Sequence, residues 1–239
     1  MSSPLELHDH FDNRLLSALP TQDFERLHPS LQPLALRLGK VIYEPGELLD
    51  HVYFPTTAVV SLVCTMENGV SAEVGLIGNE GVVGAALFLG GHTALHQAVV
   101  QIGGGAVRMR AAILRQEFAR GGPFQHLLLS YTQAFIAQVS QTAVCNRLHS
   151  VEQRLCRWIL LTRERTKSNE LAMTQEFISK MLGGRRESVT LAAQRLQNAG
   201  IIRYVRGHVT LLDRPRLQAR ACECYRVVKD ETERLLAVA

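Results

Sequence analysis

Several things are scarce in this 239-residue chain, and each scarcity closes off a class of protein. No stretch reaches the roughly 18 apolar residues that a membrane-crossing helix requires. The acidic, polar N-terminus lacks the basic and apolar regions of a secretory signal, so a cytoplasmic protein is expected. There are five cysteines, Cys64, Cys145, Cys156, Cys222 and Cys224, too scattered for a disulfide scaffold in a chain of this size. Cys222 and Cys224 form the one close pair, and their separation is shorter than the usual spacing of structural zinc ligands. They read either as a metal or redox pair or as packed thiols on a terminal helix. The nine histidines show no metal-binding spacing: His8 and His10 sit in the N-terminal tail, and His51, His92 and His96 stand apart. No metal and no cofactor is expected. Nucleophile elbows, phosphate-binding glycine loops and metal triads are missing too, which argues against an enzyme.

What is present is a globular composition, 46% apolar and 20% charged, long enough for one large or two small domains. Charge divides unevenly along it. Up to Asn146 there are 8 Lys and Arg against 12 Asp and Glu, net −4; from Arg147 onward there are 18 against 10, net +8. A basic surplus confined to one part of the chain is what neutralising nucleic-acid phosphates requires.

The basic part holds the most informative segment, Leu171 to Asp213. Thr174 can cap a helix whose Phe177, Ile178, Met181 and Leu182 share one face. Gly183-Gly184 ends it, because glycine tolerates the left-handed backbone of a sharp turn. A second helix then starts at Arg185 or Arg186, with Val189, Ala192, Ala193 and Leu196 buried and Arg185, Arg186, Glu187, Ser188, Thr190 and Gln194 on the opposite face. Asn198-Ala199-Gly200 stops it. Two alternating runs, Ile201 to Val205 and His208 to Leu212, then flank Arg206-Gly207 as a hairpin. The pattern is a winged helix-turn-helix, in which Arg185, Arg186, Glu187, Ser188, Thr190 and Gln194 face bases. Arg203, Arg206 and His208 hold the phosphate backbone from the wing, as do Thr174 and Gln175 from the first helix. The competing reading is a small-molecule-binding signalling module whose C-terminal domain mediates protein interaction; the charge division speaks against it.

Upstream, residues 11 to 38 carry two short helical patterns punctuated by Pro20, Pro29 and Pro33. From Gly39 to about Arg110, short apolar strands alternate with glycine-rich turns, the signature of a small barrel or roll. A pocket of Leu76, Val83, Leu87, Phe88 and Leu95 would suit an apolar ligand, and the same residues serve equally as barrel core. After Gly121-Gly122-Pro123 a helix runs to about Asn146, with Leu128, Tyr131, Phe135, Val139 and Thr142 as a stripe that either packs on its own roll or pairs with a second copy. Ser150 with Gln153 forms a capping box for the next helix. The expected fold class is α+β. Its expected parts are N-terminal helices and an antiparallel β-roll over 1–122, a dimerisation helix over 123–146, the reader over 147–220 and a helical tail over 221–239.

Roll, long helix and winged helix-turn-helix, in that order, resemble the Crp/Fnr superfamily of bacterial transcription regulators. The resemblance spans about Leu15 to Leu217. It rests on Tyr43-Glu44-Pro45-Gly46-Glu47, Val52-Tyr53-Phe54-Pro55, Gly69, Glu73-Val74-Gly75, Gly78-Asn79-Glu80-Gly81, Ser150-Val151-Glu152-Gln153-Arg154-Leu155 and the reader Gly183 to Gly200. It implies a homodimer that binds double-stranded DNA, meets RNA polymerase and changes pose when an effector occupies the roll. Members that bind cyclic nucleotides hold the phosphate with a Gly-Glu pair followed by Arg-Ser or Arg-Thr. Aligned on Gly84, this chain offers Ala85, Leu95 and His96, and no arginine occurs between Arg37 and Arg108. The expected signal is therefore something other than a cyclic nucleotide. The iron-sulfur branch needs N-terminal cysteines, and none precedes Cys64. A haem would need His51 or His96 as an axial ligand. In the recognition helix Arg186-Glu187 match the cyclic-nucleotide-responsive members, Leu191 replaces their further arginine and Arg185 is an extra cation, so a different target site is implied.

Overall fold

Asn13 opens the first helix and ties it to the roll at once. Its carboxamide oxygen accepts from Leu15 and Leu16 N–H at 3.1 and 3.3 Å, while its nitrogen donates to Pro55 and Gly81 carbonyls, both at 2.9 Å. A buried amide in which both ends are satisfied both caps the helix and anchors it. The computed structural model describes residues 12–166 and 168–237, and the tail histidines His8 and His10 lie outside them. Two compact units emerge. One takes the chain up to Leu62, Ile77–Ile136 and the chain from Glu231; the other takes Val63–Leu76 and Ala137–Asp230.

Helices α1 (Arg14–Ser17) and α2 (Thr21–Leu27) lead into seven strands: β1 (Gln32–Leu36), β2 (Val41–Tyr43), β3 (His51–Pro55), β4 (Val59–Thr65), β5 (Ser71–Ile77), β6 (Gln97–Ile102) and β7 (Gly104–Arg110). They form two sheets, β1-β7-β3 and β2-β6-β4-β5, in which β1 and β3 flank β7 antiparallel and β2 runs antiparallel to β6. The proline-punctuated segment thus contains a strand as well as helices. Pro33 is tolerated there because β1 is an edge strand, where a missing N–H leaves no neighbour unsatisfied. Val52, Phe54, Val59, Val60, Val83, Leu87 and Met109 fill the interior.

One strand-start position admits no side chain. A Cβ on Gly104 would lie 2.6 Å from the Ala58 nitrogen and 2.7 Å from the Thr57 carbonyl carbon, both backbone atoms that cannot rotate away. We expect Gly104→Ala to destabilise the protein by about 1–3 kcal/mol, the usual range for overpacking. At roughly 2–4 °C per kcal/mol the melting temperature should fall visibly in a thermal scan. An unchanged midpoint would mean that the β3–β4 turn yields freely.

Helix α3 (Ala111–Ala119) precedes α4 (Pro123–Leu148), the long helix. The stripe expected to pair with a second copy needs correction. Leu128 and Tyr131 are buried within their own chain, Phe135 lines a cavity in the roll, and Thr142 accepts a hydrogen bond from Arg157 at 2.6 Å. Of the five, only half-buried Val139 borders the free face. That face carries Leu129, Ile136 and Ala143, all exposed and spaced by sevens, with half-buried Thr132 and Val139 alongside. The helix has two apolar sides, and the sequence stripe followed the inner one.

Beyond α4, Ser150 and Gln153 form the expected capping box: Gln153 Oε1 accepts from the Ser150 N–H at 3.0 Å, and the Gln153 N–H donates to Ser150 Oγ at 3.3 Å. This opens α5 (Val151–Thr166), followed by β8 (Glu170–Ala172), α6 (Gln175–Leu182), α7 (Arg186–Asn198), β9 (Ile202–Val205), β10 (His208–Leu211), α8 (Arg214–Arg220) and α9 (Cys224–Ala237). Leu155, Ile159, Ile178, Val189, Leu196, Ile201 and Val209 are fully buried and form the apolar interior of the reader. The same unit includes the far end of the β4–β5 hairpin. There the Trp158 indole N–H donates to Glu73 at 3.2 Å, and the Gln138 amide accepts from the Leu76 N–H and donates to the Leu76 carbonyl at 3.2 and 3.1 Å. The fold class is α+β: an antiparallel roll, a long helix and a winged helix-turn-helix.

Candidate functional site

The reader is assembled by short-range rules that the sequence states openly. Thr174 Oγ1 accepts from the Phe177 N–H at 3.1 Å, which starts α6. Gly183, in the left-handed region at φ 56, ends it, and Arg185 is the N-cap residue of α7. Among the described residues no side chain caps α7, so the positive end of its dipole lies beside Arg185 and Arg186. Thr190 Oγ1 lies 2.9 Å from both Gln175 Oε1 and the Arg186 carbonyl, bracing α7 against α6. Its hydroxyl is therefore engaged inside the protein, whereas Glu187 and Gln194 are exposed and Ser188 is half-buried.

The wing is a tight hairpin. Strands β9 and β10 pair antiparallel, and Arg206 and Gly207 connect them with φ 47 and φ 80. Two consecutive left-handed residues make the type I′ turn that matches strand twist. Asparagine or glycine would fit Arg206's backbone more easily, and a strained position occupied by arginine points to a use for the side chain. Arg186, Arg206, Thr174, Gln175, Glu176, Tyr204 and Gly207 together line a polar groove of about 440 Å³. Glu176 and Tyr204 were absent from the sequence expectation; Tyr204 sits on the groove side of β9, with its hydroxyl donating to the Met173 carbonyl at 2.9 Å.

Several arginines of this unit are neutralised within it. Arg195 and Arg220 meet Glu152 at 3.9 and 3.1 Å, Arg214 meets Glu164 at 2.6 Å, and Arg216 meets Asp213 at 4.0 Å. Arg185, Arg186, Arg203 and Arg206 are exposed, and none of these four makes an ion pair among the described residues. Their positive charge is left uncompensated by the protein itself, at the start of α7 and on the wing.

The roll encloses a second candidate site, a cavity of about 320 Å³. Gly84, Ala85, Leu95 and His96 all line it, joined by Tyr43, Leu49, Leu62 and Ile77 and by Tyr131, Thr132, Phe135 and Ile136 of α4. Among the described residues no Lys, Arg, Asp or Glu side chain contributes. Burial holds the His96 imidazole below its ordinary value, which favours its neutral form. Gly84 takes φ 102, a conformation that favours glycine, and a Cβ there would press on Val52 at 3.3 Å. Of the apolar residues considered as a pocket, Leu76, Val83, Leu87 and Phe88 are core, and only Leu95 borders the cavity.

Comparison with known proteins bears on both sites. Residues 33–120 match the family model of the cyclic nucleotide-binding domain. Residues 153–220 match that of the Crp-like helix-turn-helix domain. Among solved structures the chain is similar to FixK2 from Bradyrhizobium japonicum, with TM-score 0.69 and 18% identity over 80% of this chain and 98% of that one. It is also similar to a transcriptional regulator of the Crp/Fnr family from Eubacterium rectale, with TM-score 0.67 and 17% identity over 86% and 96%. The c-di-GMP-responsive global regulator CLP from Xanthomonas campestris gives TM-score 0.66 and 15% identity over 80% and 99%. No curated protein sequence matches the chain. Identities this low establish a shared fold, and the two domain models supply the rest. With a cyclic nucleotide-binding domain over the roll and a Crp-like helix-turn-helix over the reader, in that order on this fold, the chain belongs to the Crp/Fnr superfamily of transcription regulators.

Proposed function

We propose that this protein is a homodimeric, sequence-specific DNA-binding regulator whose roll answers to an uncharged, largely apolar effector and not to a cyclic nucleotide. The observation that carries the DNA reading is the set of four unpaired arginines at the start of α7 and on the wing. Phosphates neutralise such charges outside the protein, and a guanidinium can also pair with guanine O6 and N7. In this reading Arg185, Arg186, Glu187, Ser188 and Gln194 face base edges, and Thr190 acts mainly as a brace. Exposed Leu191, where the resemblance leads one to expect arginine, offers a methyl contact to thymine in place of a hydrogen bond. Arg203, Arg206, His208, Thr174 and Gln175 hold the backbone.

Dimerisation follows from the outer face of α4. Leu129, Ile136 and Ala143 recur by sevens with Thr132 and Val139 between them, the a and d pattern of a two-stranded coiled coil. Residues 1–122 then form the sensor, 123–146 the dimer helix, 147–220 the reader and 221–239 the tail. The effector reading rests on the cavity's lining. A cyclic phosphate placed there would give up its water for neutral side chains, with no guanidinium to offset the loss. The regulator CLP is described as responsive to c-di-GMP, whose two phosphates would meet the same difficulty in this cavity. Because α4 supplies Thr132 and Ile136 to the cavity wall and also carries the dimer face, an occupant is placed to bias how the two copies pair.

Selection of bound sequences from a random duplex library tests the reading. We expect a two-fold symmetric consensus with half-sites about 34 Å apart, centre to centre. Affinity for it should fall steeply with salt and stay unchanged when cyclic AMP or cyclic GMP is added. No enrichment, or enrichment without symmetry, would overturn it. A cyclic-nucleotide-dependent gain in affinity would overturn the effector reading alone.

A further inference from the structure

Three thiols and an imidazole meet where the long helix ends. Cys145 lies on the last turns of α4, His149 follows one turn later at the junction with α5, and Cys222 and Cys224 come from the connection into α9. The ligand atoms Cys145 Sγ, His149 nitrogen, Cys222 Sγ and Cys224 Sγ all lie within 4.8 Å of one another. Cys145 Sγ and Cys222 Sγ are 3.5 Å apart, and Cys224 Sγ is 3.6 Å from His149 Nδ1. We propose that these four side chains form a closed, tetrahedral structural zinc site.

The distances carry the assignment. With Zn–S about 2.3 Å and Zn–N about 2.0–2.1 Å, a tetrahedral centre sets sulfurs about 3.8 Å apart and nitrogen about 3.6 Å from sulfur. The Cys145–Cys222 and Cys224–His149 separations lie within a few tenths of an ångström of those edges, and no pair of the four ligand atoms is more than 4.8 Å apart. A disulfide would bring Cys145 and Cys222 to about 2.05 Å, far closer than they are. All three cysteines are buried and form a small cluster of their own, so the thiols are not fillers of the reader's aliphatic interior. Four protein ligands leave no open position, which makes the site structural rather than catalytic. Thiolate and imidazole donors in a tetrahedron select zinc over the oxygen-seeking cations.

The surroundings complete the site. His149 Nδ1 faces the sulfurs, and His149 Nε2 lies 3.3 Å from the Glu223 carboxylate. That is the carboxylate–histidine–metal relay that fixes the ring and its tautomer. Three thiolates on a divalent cation leave one net negative charge. The buried Arg157 guanidinium lies against Cys145 and donates to Thr142 Oγ1 at 2.6 Å, so the compensating cation is in place. The sequence shows only the Cys222 and Cys224 half of the site: its other half, Cys145 and His149, is ordinary alone, and Cys145 and Cys222 are separated by 77 residues. A metal here joins the C-terminal turn of α4 to the segment that leads into α9.

The untagged full-length chain, purified without chelator from cells grown with zinc, should contain about one zinc per polypeptide by plasma mass spectrometry. Replacement of the metal with Co²⁺ should give the visible d–d bands and thiolate charge-transfer band of a tetrahedral sulfur-rich site. Cys222→Ser with Cys224→Ser should lower zinc below about a tenth of an equivalent. His149→Cys, which still offers four ligands, should keep the metal where His149→Ala loses it. Glu223→Gln should retain zinc but weaken it about 10–100-fold in competition with a chromophoric chelator. Metal-free wild-type protein with Cys145 and Cys222 joined in a disulfide overturns the proposal. So does iron in place of zinc, or full zinc occupancy in the double serine variant.

Discussion

Replacing Arg186 with alanine should weaken binding to the selected operator by about 30-fold to more than 1,000-fold, because a bidentate guanine contact is worth about 1–3 kcal/mol and a two-fold dimer makes it twice. Affinity for random duplex of equal length should fall only a few-fold, since that binding is dominated by phosphate. Structure supports the asymmetry: Arg186 is the first residue of α7, exposed, unpaired and on the wall of the groove shared with the wing. The wing supplies an internal contrast. Arg203→Ala and Arg206→Ala should weaken operator and random DNA alike and lower the salt slope by about 0.9 for every phosphate that is no longer neutralised. Titrations at fixed salt separate the two patterns, and equal losses on both DNAs for Arg186→Ala would reduce that residue to a backbone contact.

The second large effect concerns assembly. Leu129→Asp should turn the proposed dimer into a monomer at micromolar concentration, raising its dissociation constant by about three orders of magnitude. The mechanism is desolvation plus repulsion: the two-fold axis brings both new carboxylates to one seam, where like charges cost several kcal/mol. Leu129 is exposed on α4 and does not line the roll cavity, so the change leaves effector binding and the roll's core alone. Analytical ultracentrifugation reads the outcome directly, and operator affinity should collapse with it as two half-sites cease to be bound together. A persistent dimer would place the interface on another surface.

How much of this was legible beforehand depends on the reach of each signal. The reader was written in local chemistry: a threonine cap, two glycines, a buried stripe and an Arg-Gly turn each act within a few residues. The roll's strands showed through alternation, yet β1 did not, because Pro33 reads as a breaker unless one knows that the strand lies on an edge. The dimer stripe shows a different limit. Periodicity marks apolar faces on α4 but cannot say which neighbour each face meets, so the stripe named Leu128 and Tyr131, which are core, and passed over Leu129 and Ile136, which are exposed. The Cys145, His149, Cys222 and Cys224 cluster lay furthest out of reach. Its members converge only after α5 through α8 have folded back, and no local pattern records that return.

The Gln138 amide has one more consequence, for what the roll does not do. Strand β5 ends its sheet, and such an edge exposes backbone groups that another chain's strand could pair with. At Leu76 both of those groups are already occupied by a side chain that imitates a peptide unit, donating to the carbonyl and accepting from the N–H. A stray strand finds no unpaired partner there. At this position the edge is closed to templated pairing by a side chain of the long helix.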